Sequence, residues 1–337
     1  MLTASIRRWW LIRQSIPLPV PVVVIGNISV GGTGKTPIVI ALAQALTKKG
    51  IAVGIISRGF GSRASSYPYS ITSSTSVEKS GDEALLIAQA TQCPVVIDRN
   101  RVAAVHHLLA CHPSIQLVLS DDGLQHYRLP RSMELIVIDG KRGMGNDWCL
   151  PSGPLREPIQ RLKSVAWVFS NGKLDNIKLK KRLDSIQASK THFNSETINL
   201  MPYRWRNVVS GELRALSPLP WQDLIDNDRD GKKGEGKGDA KINELLAVAA
   251  IGNPQRFFNT LESLGLSANT GEQIKTMAFD DHHEFTEADF MLGSKPIVLM
   301  TSKDAVKCRQ FAKPNWWALE VETELPSAFI DEVMALV

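Results

Sequence analysis

The chain has 337 residues, of which 43% are hydrophobic and 22% charged, and its formal net charge is +5. This length favours two α/β domains over a single core, and the apolar share excludes general disorder. No apolar run reaches the roughly 20 residues that cross a bilayer as a helix. The small excess of Lys and Arg favours anionic partners, although an ordinary solvated basic surface explains it equally well.

The cysteines and the N-terminal residues bear on where the protein works. The four cysteines form no CxxC pair, which argues against a zinc site or a disulfide framework and fits a reducing cytosolic compartment. Residues 7–13 read RRWWLIR, without the longer apolar stretch and cleavage site of a signal peptide. Such a segment suits either a helix lying in a membrane interface or a plain helix packed on the domain.

Predicted strands and helices alternate through the first half of the chain. Val20–Ile25 is a continuous β-branched run that predicts a buried parallel strand. Pro37–Lys48 has apolar residues at helical spacing, and Gly50 ends this helix. Alternation of this kind predicts a parallel sheet covered by helices on both faces, here within residues 1–175. Further strands and helices are predicted at Ile51–Ile56, Asp82–Thr91, Pro94–Ile97, Arg101–Ala110, Ile115–Leu119, Leu135–Ile138 and Val165–Phe169.

The alternation breaks after residue 175 and resumes near residue 244. Within the intervening linker, 176–243, Thr197–Val209 predicts a strand pair. Residues 226–241 are rich in Gly and charge and predict an exposed flexible loop. Residues 244–337 then predict a smaller α/β domain. Its elements are predicted at Leu246–Ile251, Gln255–Leu264, Ile297–Met300 and Trp317–Val321.

The turn after the first predicted strand has the composition of a phosphate-binding loop. Gly31-Gly32-Thr33-Gly34 lets backbone N–H groups point at an anion, and the following helix N-terminus adds a favourable dipole. Lys35 can reach the β- and γ-phosphates, and Thr36 can offer its hydroxyl to Mg²⁺. The strict pattern has Gly where this chain has Ser29. The strand–turn–helix context favours a P-loop over a chance Gly-rich turn. We therefore expect an α/β protein with a P-loop NTPase-type parallel sheet domain and a smaller C-terminal α/β domain, joined by a strand-hairpin linker.

Asp121 and Asp122 directly follow the apolar strand Ile115–Leu119, which is where a Walker-B acid meets the metal. Because side chains alternate along a strand, one carboxylate can face the metal directly while the other binds through water or tunes the first. An ordinary Asp-Asp-Gly turn is the alternative. Thr301-Ser302-Lys303-Asp304 is only superficially similar to a guanine-reading motif, so ATP is the expected nucleotide.

Further polar clusters lie at predicted strand ends, the usual place for ligands in such sheets. Arg58 either stabilises phosphate charge or is a surface residue before a Gly turn. Asp82, followed by Glu83, opens a predicted helix as an N-cap or as a general base for an alcohol nucleophile. Gln125-His126 comes within one turn of the Asp pair. Residues 279–285, FDDHHEF, are dense in titratable groups, and an acid–base role suits them better than a metal site.

Taken in order over about residues 20–312, these motifs resemble the tetraacyldisaccharide 4′-kinase family of lipid A biosynthesis. Any one motif is weak evidence, whereas the ordered set is specific. The motifs are Gly26-Asn27, the P-loop, Ser57-Arg58-Gly59-Phe60-Gly61, Gly81-Asp82-Glu83, Asp121-Asp122-Gly123-Leu124-Gln125-His126, Gly153-Pro154-Leu155-Arg156-Glu157-Pro158, Gly252-Asn253-Pro254 with Phe257, Asp281-His282-His283 and Ser302-Lys303-Asp304-Ala305-Val306-Lys307.

The resemblance implies an ATP- and Mg²⁺-dependent kinase whose acceptor is the 4′-hydroxyl of a tetraacyl glucosamine disaccharide 1-phosphate. It also implies peripheral contact with the cytoplasmic face of a Gram-negative inner membrane and no nucleic-acid partner. Carried onto this sequence, Asp82 accepts the hydroxyl proton with help from His282. The other implied site residues are Ser29, Gly31, Gly32, Thr33, Gly34, Lys35 and Thr36 for the nucleotide, Thr36, Asp121 and Asp122 for the metal, and Arg58, Glu83, Gln125 and His126 along the site.

Two features depart from the family pattern. The segment before the P-loop, which is expected to dock family members on the membrane, is shorter than usual, and residues 226–241 look like an insertion. Two rival functions stay open on the sequence alone. A P-loop kinase of a soluble metabolite needs no apolar acceptor site, and a nucleotide-driven switch needs no acceptor base.

Overall fold

A computed structural model describes residues 10–11, 15–72, 74–221, 245–266, 274–290 and 296–337. The basic and aromatic N-terminal segment lies mostly outside the described residues, and the predicted loop at 226–241 lies wholly outside them. The chain divides into two compact units, one formed by Met1–Leu200 with Thr323–Val337 and the other by Met201–Glu322. The division at residues 175 and 243 stays a prediction.

The described strands of the first unit form one eight-stranded sheet in the order β3-β4-β2-β5-β1-β6-β7-β8. All neighbouring strands are parallel except β3, which runs antiparallel to β4. The predicted parallel sheet is therefore confirmed. The strands are β1 Val22–Gly26, β2 Val53–Ser57, β3 Tyr69–Ile71, β4 Val95–Ile97, β5 Leu117–Asp121, β6 Met133–Asp139, β7 Trp167–Asn171 and β8 Asn194–Ile198.

Helices connect these strands and begin or end where the local sequence requires it. Asn100 and Asn176 cap two of them through side-chain acceptors, as expected of N-cap Asn. Gly50, with φ of +86°, ends the first helix in a backbone conformation that glycine adopts without strain. The helices are α1 Lys35–Lys48, α2 Val77–Ser80, α3 Asp82–Thr91, α4 Arg101–Cys111 and α5 Ile177–Ser189, with a 3₁₀ turn at Ile159–Ser164. Within the described residues, no helix has the length and apolarity that a membrane span requires.

The core of the first unit lies on both faces of the sheet, because its central strands bury every residue. The last helix, α8 (Ser327–Met334), packs on one of these faces. Its Phe329 ring lies 5.3 Å from Trp167 and 5.0 Å from Phe169, edge to face. The indole Nε1 of Trp167 also donates to Glu332 Oε2 at 2.8 Å. These contacts place the C-terminal helix in the first unit.

The second unit has a smaller six-stranded sheet in the order β10-β9-β14-β13-β11-β12. Strands β11 to β14 are parallel where they pair, and β9 is antiparallel to both β10 and β14. The strands predicted over Thr197–Val209 divide between the two sheets, since β8 pairs with β7 and β9 pairs with β14. The elements are β9 Met201–Asn207, β10 Leu213–Arg214, β11 Leu245–Ala249, α6 Pro254–Ser263, β12 Ile274–Ala278, β13 Ile297–Thr301, α7 Ser302–Cys308 and β14 Trp316–Glu322, with a 3₁₀ turn at Glu287–Phe290.

Candidate active site

The phosphate loop follows β1 at the edge of the sheet where the parallel strands end. Gly31 and Gly34 have φ of +90° and +86°, conformations that favour glycine. The buried Asn27 side chain braces the loop from below, because its Nδ2 donates to Gly31 O at 3.3 Å and lies 3.4 Å from Thr33 Oγ1. The loop is thus shaped by its own glycines and by one internal amide.

Asn171, at the end of β7, supports the same loop from a distant part of the chain. Its Nδ2 donates to Thr33 O at 3.0 Å. A Cβ added to Gly34 would collide with this amide. Gly34 is therefore required both by its backbone conformation and by the close approach of Asn171. It stands immediately before α1, so the first turn of that helix opens onto the loop.

Ser29 needs no glycine, because its backbone is paired and lies outside the left-handed region. It forms an antiparallel bridge with Leu155. Around this bridge, Val30 N donates to Pro154 O at 2.8 Å and Arg156 N donates to Ile28 O at 2.7 Å. Ser29, which replaces the glycine of the strict pattern, is thus an extended residue that is hydrogen-bonded into the 153–158 segment.

Lys35 and Asp122 bring the phosphate loop and the acidic strand end together. Lys35 Nζ lies 3.4 Å from Asp122 Oδ1, and Arg156 Nη1 donates to Asp122 Oδ2 at 3.2 Å. Burial raises the pKa of Asp122, but these two cations outweigh burial and the net pKa is lowered. Asp122, with φ of +46°, is therefore an ionised carboxylate beside the lysine.

Asp121, the residue before Asp122, is fully buried. Ser57 Oγ donates to its Oδ2 at 3.0 Å, whereas its Oδ1 is buried and has no hydrogen-bond partner among the described residues. Burial raises the pKa of Asp121 to about 7, with Glu83 and Asp122 adding to the rise. An unsatisfied buried carboxylate oxygen is costly unless a cation or proton meets it. The two carboxylates therefore differ in charge state because their surroundings differ.

The residues predicted to hold Mg²⁺ fit that ion. Thr36 begins α1 beside Lys35, and Asp121 and Asp122 follow one another at the end of β5. No group of three or more His, Cys, Asp and Glu side chains among the described residues is placed to form a complete metal cage. Magnesium in nucleotide sites needs no such cage, because one or two carboxylates, waters and substrate phosphates complete its shell.

Arg101 contacts the backbone of the Asp pair. The buried Arg101 donates from Nη1 to Asp98 O at 2.6 Å and from Nη2 to Asp121 O at 3.3 Å. Burial lowers the pKa of Arg101 to about 10, although Asp121 and Asp122 oppose the drop. Burial, together with the positive charges of Arg101 and Arg58, lowers the pKa of His126 to about 4. His126 is therefore neutral at pH 7.

Asp82 and Glu83 begin α3 beside the loop that follows β2. A Cβ on Gly81, whose φ is +77°, would collide with the carbonyl of Phe60, so these two loops approach closely. Asp82 is buried, and its Oδ1 accepts from Glu83 N at 2.8 Å. Glu83 in turn contributes to the raised pKa of Asp121. The structure thus places Glu83 near Asp121 and Asp122, and the backbone of Glu83 orients the Asp82 carboxylate.

A buried network of ion pairs supports Gln125. Gln125 Nε2 donates to Asn27 O at 3.1 Å and to Glu157 Oε1 at 2.7 Å. Glu157 also accepts from Tyr127 Oη and, at 3.1 Å, from Arg161 Nε. Arg161 then pairs with Glu134. Gln125 thereby connects the base of the phosphate loop to a fixed ionic core.

His282 belongs to the second unit and has φ of +66°. Its Nε2 lies 3.9 Å from Asp281 Oδ1, which also accepts from Lys303 Nζ at 3.1 Å. The neighbouring His283 is held differently, since its ring stacks on Phe279 at 4.5 Å and its Nε2 lies 3.4 Å from Asp289 Oδ2. His283 is thus held by an aromatic ring and an acid, whereas the acid beside His282 is shared with Lys303.

Comparison with known proteins shows the family of this chain. The family model described as tetraacyldisaccharide-1-P 4′-kinase, LpxK, matches residues 1–337. The chain belongs to this kinase family. The tetraacyldisaccharide 4′-kinase of Pasteurella multocida is 42% identical over 94% of this chain and 84% of its own length. The kinase of the same name from Methylobacillus flagellatus is 40% identical over 96% of this chain and 83% of its own.

A solved structure agrees at the level of fold. LpxK from Aquifex aeolicus, in complex with ATP, superposes with a TM-score of 0.69 at 24% identity, covering 99% of this chain and 95% of that chain. The predicted family, fold class and enzyme class are thus confirmed for this kinase. The roles of the individual site residues stay predictions.

Five residues of the site were not predicted from the sequence. Asn171 and Arg161 reach it across long stretches of chain and have no local signal. Arg101 begins the predicted helix Arg101–Ala110 and Glu157 lies in a recognised motif, but neither was given a role. A fifth is Arg142, whose Nη1 would lie 2.5 Å from a Cβ placed on Gly31. Arg142 makes no ion pair within the described residues, and a guanidinium against the loop is placed to meet phosphate oxygens.

Proposed function

We propose that this kinase transfers the γ-phosphoryl group of ATP to the 4′-hydroxyl of a tetraacyl glucosamine disaccharide 1-phosphate, in contact with the cytoplasmic face of the inner membrane. The observation that carries the proposal is the Lys35–Asp122 pair, with Nζ–Oδ1 of 3.4 Å, in a chain of this family. It unites a phosphate loop with an acidic strand end, the two halves of a phosphoryl-transfer site.

The phosphate loop binds the nucleotide. Backbone N–H groups of Gly31-Gly32-Thr33-Gly34 and the N-terminus of α1 face the phosphates, and Lys35 neutralises the transferred group. Ser29 holds the loop to Leu155. Thr36, Asp121 and Asp122 would hold Mg²⁺, which when bound neutralises charge on the β- and γ-phosphates.

Asp82 accepts the proton of the attacking hydroxyl. A sugar hydroxyl is a weak acid, so a positioned base contributes about 10²–10⁴-fold to the rate. Its Oδ1 is oriented by the backbone N–H of Glu83, which fixes the direction of the carboxylate. The resemblance assigns His282 an assisting acid–base role.

The remaining site residues orient the reacting groups. Arg58 stabilises phosphate charge. Gln125 holds the base of the loop through Asn27 O. The charge of Glu83 raises the pKa of Asp121. The neutral His126 can donate or accept one hydrogen bond without adding charge.

Transfer of ³²P from γ-labelled ATP to the tetraacyl disaccharide 1-phosphate in detergent micelles tests this proposal. We expect a labelled lipid bisphosphate that forms only with ATP, Mg²⁺ and acceptor present together. An acceptor blocked at the 4′-hydroxyl is the matched control and should stay unlabelled. Labelling of a soluble sugar in place of the lipid, or slow hydrolysis of ATP without any acceptor product, would contradict the assignment.

A further inference from the structure

Two large apolar side chains are exposed on a turn attached to the phosphate loop. Trp148 is 61% exposed and Leu150 56% exposed. Leu155 N donates to Trp148 O at 3.0 Å and Leu150 N donates to Leu155 O at 2.8 Å, which fixes the turn. Leu155 also bridges Ser29. The two side chains therefore project from a rigid turn at the edge of the sheet that carries the phosphate site.

The N-terminal end of α5 lies beside this turn. Lys178 Nζ lies 3.0 Å from Asp147 Oδ2, and Arg182 Nη1 lies 3.7 Å from the same oxygen. Ile177, which begins the helix, is 71% exposed. Asp147 is thereby neutralised, and the apolar residues of the turn and of the helix belong to one neighbourhood.

This neighbourhood carries an excess of basic side chains, since Lys173, Lys178, Lys180, Lys181 and Arg182 outnumber Asp147, Asp175 and Asp184. Lys173, Lys180 and Lys181 are exposed and, within the part of the chain that the structure describes, make no ion pair. Basic side chains around exposed Trp, Leu and Ile are the composition of a surface that lies in a membrane interface. Here the residues come from a loop and a helix end, so the pattern is not visible as one stretch of sequence.

We infer that Trp148, Leu150 and Ile177, with Lys173, Lys178, Lys180 and Lys181, form an interfacial surface that docks on an anionic lipid bilayer. The inference rests on the proposed lipid acceptor, because such an acceptor must be reached where it is embedded. The interfacial surface and the phosphate loop lie at the same edge of one sheet, since β1, β6 and β7 are parallel and α5 begins just after β7.

The anionic bilayer is favoured over a protein partner by charge. Each Lys near a surface of anionic lipid strengthens binding several-fold, and the effect is lost in neutral lipid. The indole, leucine and isoleucine side chains add shallow apolar insertion, which by itself is weak. Electrostatic attraction and shallow apolar insertion together give reversible, peripheral docking.

Flotation of the full chain with vesicles tests the inference. The vesicles contain phosphatidylglycerol and phosphatidylcholine, or phosphatidylcholine alone. One variant carries Lys180→Glu and Lys181→Glu, and a second carries Trp148→Ala and Leu150→Ala. The matched control carries Lys48→Glu and Lys49→Glu, at the opposite end of α1. Two Lys-to-Glu changes lower the charge by 2 × 2 = 4, so both charge variants fall from +5 to +1.

We expect the native chain to float with anionic vesicles and not with neutral ones. The Lys180/Lys181 variant should lose binding about tenfold or more, the Trp148/Leu150 variant several-fold, and the Lys48/Lys49 control little. All should phosphorylate acceptor dispersed in detergent at the native rate. Equal losses in the two charge variants would overturn the inference in favour of net charge alone.

Two other outcomes also overturn it. Unchanged vesicle binding by the Trp148/Leu150 variant, with a raised KM for micellar acceptor, would make these residues part of an acceptor-chain site. No flotation of the native chain would remove bilayer docking altogether. In either case, labelled lipid product in detergent would leave the proposed kinase function standing, and its absence would refute that function separately.

Discussion

Lys35 of the phosphate loop and Asp122 at the end of β5 form an ion pair, with Nζ 3.4 Å from Oδ1. The two residues are neighbours because β1 pairs in parallel with β5, so the loops that follow both strands meet. Arg156, on the segment that Ser29 bridges, reaches the same carboxylate. The phosphate loop and the segment that carries Arg156 thus converge on one acid at the end of β5.

Replacing Lys35 by Ala should abolish activity and weaken ATP binding together. The ammonium supplies the positive charge that meets the β- and γ-phosphates, and a charged hydrogen bond contributes about 1.5–3 kcal/mol. Equilibrium dialysis with ATP and the label-transfer assay measure the two effects. Lys48→Ala, at the far end of the same helix, is the control. Tight ATP binding by the Lys35 variant would count against the site.

Replacing Asp82 by Asn should lower kcat by about 10²–10⁴-fold while ATP affinity persists, because the amide cannot take the hydroxyl proton. The backbone hydrogen bond from Glu83 N can be kept by the amide oxygen, so folding should be little affected. Asp184→Asn, on the exposed side of α5, is the control. Native turnover in the Asp82 variant would refute its role as base.

The raised pKa of Asp121 predicts a pH-dependent stability. The carboxyl titrates at about 7 in the folded protein and near 4 when unfolded, so the folded state holds an extra proton between these values. Stability from this group is present at low pH and falls as pH rises through that window. Asp121→Asn, which keeps the neutral shape, should remove the fall.

Urea unfolding without nucleotide and Mg²⁺ measures this effect. We expect Asp121→Asn to gain up to about 4 kcal/mol over the native chain at pH 8, with the gain falling steadily to little at pH 4. The low pKa of His126, about 4, gives the opposite slope, since the unfolded state binds the extra proton there. That slope is common to both proteins and cancels in the difference. A difference independent of pH would contradict the charge assignment.

Replacing Arg142 by Ala should raise KM for ATP about tenfold with a smaller effect on stability. Its guanidinium lies against Gly31, and charged contacts to phosphate contribute about 1.5–3 kcal/mol. Arg142→Lys should recover only part of the affinity, because Lys lacks the planar fork. Lys141→Ala, one residue earlier on the same loop, is the control. An unchanged KM would remove Arg142 from the nucleotide site.

Replacing Arg161 by Leu should destabilise the first unit by about 3–5 kcal/mol, because Glu134 and Glu157 lose a buried counter-charge. Adding Glu157→Gln should restore part of this loss. Arg214→Leu, whose partner Glu212 is exposed, should change stability by less than about 1 kcal/mol. Unfolding midpoints measure all three variants. Equal effects of the two Arg changes would show that burial of this pair does not matter.

The local sequence was sufficient for the parts of the site that lie within one strand–turn–helix unit. The β-branched run of β1, the glycines after it and Lys35-Thr36 form a phosphate loop by short-range geometry, so pattern alone predicted it. Asp121 and Asp122 were likewise predicted from the apolar strand before them. The ordered motifs identified the family, because many weak local signals were combined.

Tertiary structure alone decided the rest. Asn171 donates to Thr33 across 138 residues of chain. Ser29 pairs with Leu155 in an extended conformation, so this position does not need glycine. The last helix joins the first unit because Phe329 fills a space beside Trp167 and Phe169. Local sequence patterns carry information only about residues that are close in the chain, within a strand or a turn of helix. Contacts between distant segments depend on strand order and on which side chains fill the same space, and these emerge only when the whole sheet assembles.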